Sequence, residues 1–144
     1  MSKDKDFKAS IDKWVADTED KIMAVVKNSI EDLVEDANKP VKAGGRMPVD
    51  TGFLRASSAS AINHLPEGET RGRHRKKNEN GVIYPYDSSV SLLGVLPKFK
   101  MGDVFYFGWT AEYANKMNIK YGFLDSACQK WADFINNNVR RLKE

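Results

Sequence analysis

Three stretches of this chain hold side chains capable of chemistry. The triplet Asp50-Thr51-Gly52 has the composition that carries the catalytic carboxylate in aspartic proteases, where two aspartates about 3 Å apart share one proton and activate water. A 144-residue chain with one such triplet would have to dimerise to pair its aspartates, and the triplet should lie between apolar strands of an all-β fold. Instead it runs on into Phe53-Leu54-Arg55 and a string of small residues, and both ends of the chain have helical periodicity. A structural role for the triplet is the stronger reading. Pro48 holds Met47 extended, and Asp50 is then the N-cap of a short helix opening at Thr51. That register puts Val49 at N′ and Leu54 at N4, the two positions of a hydrophobic staple.

The second stretch is Arg71-Gly72-Arg73-His74-Arg75-Lys76-Lys77, with five fixed positive charges, at Arg71, Arg73, Arg75, Lys76 and Lys77, within seven residues. It sits in a polar segment, residues 65–81, without an apolar residue after Pro66. Such a segment has nothing to bury and is expected to be a mobile loop. Three roles fit it: contact with nucleic-acid phosphates, where released counterions supply sequence-independent affinity; docking on an acidic face of a protein partner; or a solvated loop and nothing more. The third group is Cys128 with the histidines His64 and His74. One cysteine excludes an intrachain disulfide and a cysteine-based zinc site, and two histidines exclude a multi-histidine metal centre. Cys128, beside the apolar stripe of a helix and far from any histidine in sequence, is expected to be a small packed residue and not a nucleophile. No glycine loop of phosphate-cradling type is present, and no cofactor is implied. On residues alone, a structural or interaction protein is favoured over an enzyme.

Length and periodicity give the scaffold around these residues. The size is that of a single domain, residues 1–144, with a modest core. The formal charge of +3 does not by itself mark a nucleic-acid binder. No apolar run approaches the roughly 20 residues of a membrane span, and the charged N-terminus lacks the apolar segment of a secretory signal. The expectation is a protein soluble in a reducing cytoplasm.

From about Asp6 to Ala37, Phe7, Ile11, Trp14, Val15, Ile22, Val25, Val26, Ile30, Leu33 and Val34 recur at three- and four-residue steps. Only Thr18 interrupts the stripe, so residues 1–38 contain one long amphipathic helix. At about 30 residues it is roughly 45 Å long, more than a small domain needs. Either its first turns fray or it reaches a neighbouring subunit. Trp14 and Trp131 are expected in the core. Pro40 and Gly44-Gly45 end the helix. The small residues of 56–62 fit a short strand or a tightly packed helix end. Residues 82–84, 90–96 and 104–109 are rich in β-branched and aromatic side chains and are expected to form a small antiparallel sheet, with Pro85 marking the first as an edge or a bend and 97–103 as a hairpin connection. After Gly122, Phe123, Ala127, Trp131, Phe134, Ile135 and Leu142 mark the core face of one final helix. The fold class is α+β, a small antiparallel sheet packed against a long N-terminal helix and a C-terminal helix, with sheet and C-terminal helix in 82–144.

Pro48-Val49-Asp50-Thr51-Gly52, followed by an apolar-Leu54-Arg55-Ala56-Ser57 run, resembles the signature of a family of small virion proteins of long-tailed bacteriophages, the tail-completion, head–tail joining or neck proteins. Tyr113-Ala114 followed by Tyr121-Gly122-Phe123-Leu124-Asp125-Ser126-Ala127 is similar to that family's second characteristic stretch, in which Phe-Leu-x-x-Ala opens the last helix. The order and spacing fit across residues 46 to 142. Lys120-Tyr121-Gly122 departs from the family's usual Glu-Phe-Gly-Thr, and the linker to Phe123 is shorter. The resemblance implies an oligomeric ring, with six subunits, at the neck or tail terminus of a virion, assembled in the host cytoplasm. Its partners would be other copies, further neck, connector or tail-tube proteins, and DNA in the channel. The other reading the residues leave open is a small DNA-binding protein acting through 71–77.

Overall fold

The structure, a computed structural model, describes residues 2–71 and 84–143. The long helix expected at the N-terminus is α1, Ser2–Ala37. Its stripe is buried only in the second half, where Val25, Ser29, Val34 and Ala37 are covered. Thr18 does not break it: the hydroxyl donates to the Trp14 carbonyl at 2.7 Å, a bond to the preceding turn that lets threonine sit inside a helix. After α1 the chain makes a closed loop. Met47 N–H donates to the Lys39 carbonyl and Val41 N–H to that of Met47, around a single 3₁₀ turn at Val41–Ala43. A side chain at Gly45 would meet the Lys39 carbonyl oxygen at 2.0 Å, so only glycine closes this loop.

A one-turn helix α2, Phe53–Ala56, leads directly into strand β1, Ser58–Ile62. Both alternatives left open for the small-residue run are therefore realised in succession. Strand β2, Phe105–Trp109, pairs antiparallel with β1, Ser58 opposite Trp109 and Ile62 opposite Phe105. Among the described residues the sheet has these two strands. Of the first expected strand, Val82 and Ile83 lie outside the described residues. The second expected strand is not one. Ser89–Leu93 form a π-helical turn and Leu96–Lys98 a 3₁₀ turn, so 97–103 is no hairpin connection. The Asp87 carboxylate accepts from the Ser89 N–H at 2.9 Å and opens the turn. Leu92 and Leu96, four apart, are then both buried. Ser91 lies along β1, with its hydroxyl 2.7 Å from that of Ser58 and its carbonyl accepting from Ser60 Oγ at 2.7 Å. The small side chains of β1 admit this close approach.

A short helix precedes the final helix expected after Gly122, and that final helix is itself divided. α3, Ala114–Tyr121, and α4, Phe123–Gln129, meet at Gly122, whose φ of 70° ends one and begins the other. A further break at Lys130 separates α4 from α5, Trp131–Lys143. The Lys130 ammonium pairs with Asp36 of α1 at 3.0 Å. α4 and α5 both pack along α1. Two apolar clusters hold the elements together: Met47, Phe53, Leu54, Ala111 and Phe123 at one end, and Val34, Leu92 and Leu96, with Phe105 and Phe107 from the sheet, at the other. The fold is thus α+β, a two-stranded antiparallel sheet packed against a long N-terminal helix and C-terminal helices. No helix among the described residues is long and apolar enough to cross a membrane.

Candidate assembly surfaces

The turn at Pro48–Leu54 is built differently from the sequence expectation. The first helical residue is Phe53, and the cap position falls on Gly52, not Asp50. The cause is the backbone at Gly52, whose φ of 87° reverses the chain between Thr51 and the helix, a conformation that glycine adopts without strain. Thr51 takes part of the capping role, its hydroxyl accepting from the Phe53 N–H at 3.4 Å, while its carbonyl accepts from Tyr84 N–H at 3.0 Å. The flanking strands that a protease triplet requires are here an extended segment and a helix. With the cap at Gly52, Val49 and Leu54 do not stand at the N′ and N4 positions of a staple; they share only one apolar cluster, in which Leu54 is buried and against which Val49 packs.

The two stretches that carry the phage resemblance come together in space. Pro48, Asp50, Thr51, Gly52 and Leu54 line a cavity of about 270 Å³ together with Tyr113, Met117 and Tyr121. Beneath it Phe53 and Phe123 share one cluster, the Trp109 ring meets Phe123 edge-on at 4.8 Å and Tyr84 meets Phe53 at 5.1 Å. The Arg46 guanidinium donates to the Tyr121 carbonyl at 3.4 Å, closing the same arrangement from outside. Burial pushes the Tyr113 phenol above its ordinary pKa, and the charge of Asp50 adds to the shift, as does Tyr84.

Of the basic segment, Arg71 is described and Arg73, Arg75, Lys76 and Lys77 lie outside the described residues. Arg71 Nε pairs with Glu112 Oε2 at 2.9 Å, with both side chains exposed. The residues before it are hydrogen-bonded to the connection after β2: Glu112 N–H donates to the Thr70 carbonyl and Thr110 Oγ1 to that of Glu69. Cys128 is exposed, not packed. Partial desolvation, with Asp125 beside it, raises its pKa and keeps it in the unreactive thiol form. Among the described residues no three His, Cys, Asp or Glu side chains are grouped to hold a metal ion.

Two surfaces stand out, one with a row of uncovered apolar side chains and one concave. The first is the N-terminal half of α1. Trp14, expected in the core, is 68% exposed, and Phe7, Ile11, Val15 and Ile22 are exposed with it. The other large helix residues expected in the core behave differently: Trp131, Phe134 and Ile135 are half-buried, whereas Leu142 is exposed. The second surface is an open cleft of about 670 Å³ between the end of α1, the π turn and α5, with Val34, Leu92, Leu93 and Phe134 on its apolar side and Glu31, Asp32 and Glu35 along one wall.

Two buried asparagines, which the sequence reading missed, frame this cleft. Asn38 accepts from Trp109 Nε1 at 2.9 Å and donates towards Ser58 and Tyr86, joining the end of α1 to the sheet and to the segment before the π turn. Asn138 of α5 donates to Ser29 Oγ and Asp32 Oδ2 on α1. Asn138 lies at a helical step among apolar positions, between Phe134 and Leu142, and that was the available signal. Comparison of the chain with protein-family models, with curated proteins and with solved structures returned no match.

Proposed function

We propose that the chain is a structural protein of a tailed-phage virion, a subunit of a ring at the neck or tail terminus that completes the tail or joins it to the head. It acts through surface complementarity and carries no catalytic step. The observation that carries the assembly reading is the bare stripe on α1: a helix that ends in a packed core presents Phe7, Ile11, Trp14, Val15 and Ile22 to water over its first half. A contiguous apolar surface of this kind is the mark of an interaction site in a soluble protein. The phage assignment rests on the resemblance, and the meeting of both resembling stretches around one cavity supports it, because residues about sixty positions apart then form one structural unit.

In this reading the partners are other copies of the chain, six to a ring as the resemblance implies, and neighbouring connector or tail-tube proteins. DNA would pass through the channel, with the basic segment as its candidate contact. The test is electron microscopy of lysates from the phage that encodes the chain, with the gene interrupted. Filled heads and detached tails should accumulate side by side. Normal, infectious virions would overturn the proposal.

A further inference from the structure

The two edges of the sheet are not alike, and one is open. We infer that the outer edge of β2, Phe105–Trp109, accepts an extended segment of a different protein as a further hydrogen-bonded strand. The inference rests on the assembly reading above and gives the chemistry of one of its contacts.

The ladder between β1 and β2 fixes which backbone groups face out. Thr110 N–H donates to the Ser57 carbonyl and Asn63 N–H to that of Val104, and both are opposed pairs in the antiparallel register. Groups that bond to the partner alternate along such a strand. Tyr106 and Gly108 therefore turn their N–H and C=O towards β1, whereas Phe105, Phe107 and Trp109 turn theirs away. Those outward groups make no backbone hydrogen bond among the described residues. They recur about every 7 Å, and a row of donors and acceptors at that spacing is matched in full by another extended backbone. The outer edge of β1 is not available in this way, because Ser91 of the π turn lies against Ser58 and Ser60. Nor is β2 guarded. Phe-Tyr-Phe-Gly-Trp contains no charge and no proline, the residues that ordinarily keep an exposed edge from pairing.

Symmetry selects a different protein as the donor. β2 paired with its own copy is a two-fold contact that uses the same edge on both chains and ends at a dimer, whereas a ring closes through unlike faces. The other strand has no edge to lend, since the π turn covers it. Among the described residues, no strand of a second copy can then extend the sheet of the first head to tail. The donated strand also has a stated pattern. Phe105, Phe107 and Trp109 pack on the apolar clusters, and on the opposite face nothing stands within 4 Å of where a side chain at Gly108 would begin. A strand added alongside alternates accordingly, with apolar residues towards the core, polar residues towards water and no proline where it bonds to β2.

The experiment follows amide hydrogen exchange of the full chain by NMR, residue by residue, with the acetylated hexapeptide Thr-Val-Thr-Val-Thr-Val as probe. In the free protein the amides of Phe105, Phe107 and Trp109 should exchange at least about tenfold faster than those of Tyr106 and Gly108. The peptide at millimolar concentration should protect the first three and leave the other two unchanged, and the same peptide with N-methylated amides should protect none. Three amides that are already slow in the dilute monomer, a peptide without effect, or equal protection by the methylated peptide would each overturn the inference. Protection that grows with protein concentration in the absence of peptide would overturn the different protein as donor and assign the edge to a second copy. Should the edge fail while the interrupted gene still yields separate heads and tails, the virion reading stands and this contact alone falls.

Discussion

At Gly52 a backbone angle decides what its neighbours can do. A φ of 87° is open to glycine and costs other residues roughly 1–2 kcal/mol, and it turns the chain so that Asp50 lies by Tyr113 and does not cap α2. The charge of Asp50, secondary to burial, is one reason why the Tyr113 phenol holds its proton more tightly in the folded protein. A phenol whose folded pKa is raised contributes stability that is fully present below its unfolded pKa of about 10 and is lost as pH rises through the folded value. Asp50→Asn should lower the Tyr113 titration without returning it to the ordinary value, because burial remains. Tyrosinate absorbance against pH, with Tyr113→Phe identifying the residue, measures it; an unmoved titration would remove Asp50 from this role.

Among the elements, α1 is two objects in one helix. Its second half is held by the Asn38 and Asn138 hydrogen bonds, by Lys130 with Asp36 and by Val34 in the core. Its first half has no buried residue before Val25 among those whose side chains are described. Deleting residues 2–20 should therefore reduce helical ellipticity while leaving the cooperative thermal midpoint within a few degrees of the wild type, and it should abolish self-association. A collapse of the midpoint would mean that the first half packs on its own domain. The periodicity of α1 was legible because every apolar residue obeys one spacing, but which half finds a partner depends on elements that arrive a hundred positions later. Strand β2 was legible from its run of β-branched and aromatic residues, whereas the meeting of the two motifs around one cavity was not foreseen. The π turn was misread because Val90, Leu92, Leu93 and Val95 have strand composition, while the information that mattered was the four-residue step from Leu92 to Leu96 and the Asp87 cap. The cleft was not legible at all, since its walls come from three elements with no common pattern.

For the whole molecule, the bare stripe on α1 and the basic segment are separate in sequence, and the proposed function gives them different roles. Arg71 is engaged by Glu112 on the connection between β2 and α3, and it neither lines the cleft nor belongs to α1. If self-assembly runs through the bare apolar stripe of α1, the charge of that segment has no part in it. Replacing Arg71, Arg73, Arg75, Lys76 and Lys77 together by alanine should leave the oligomer's molar mass and its concentration dependence unchanged. Any association of the wild type with duplex DNA should disappear in the same variant, because each neutralised phosphate contributes a slope of about −0.9 to the dependence of log K on log salt. Electrostatic DNA binding and apolar self-assembly would then separate cleanly, one abolished by salt and by the five alanines, the other by Trp14→Glu. A five-alanine variant that dissociated into monomers would show instead that the segment belongs to the subunit interface, and the apolar stripe of α1 would be insufficient to hold a ring.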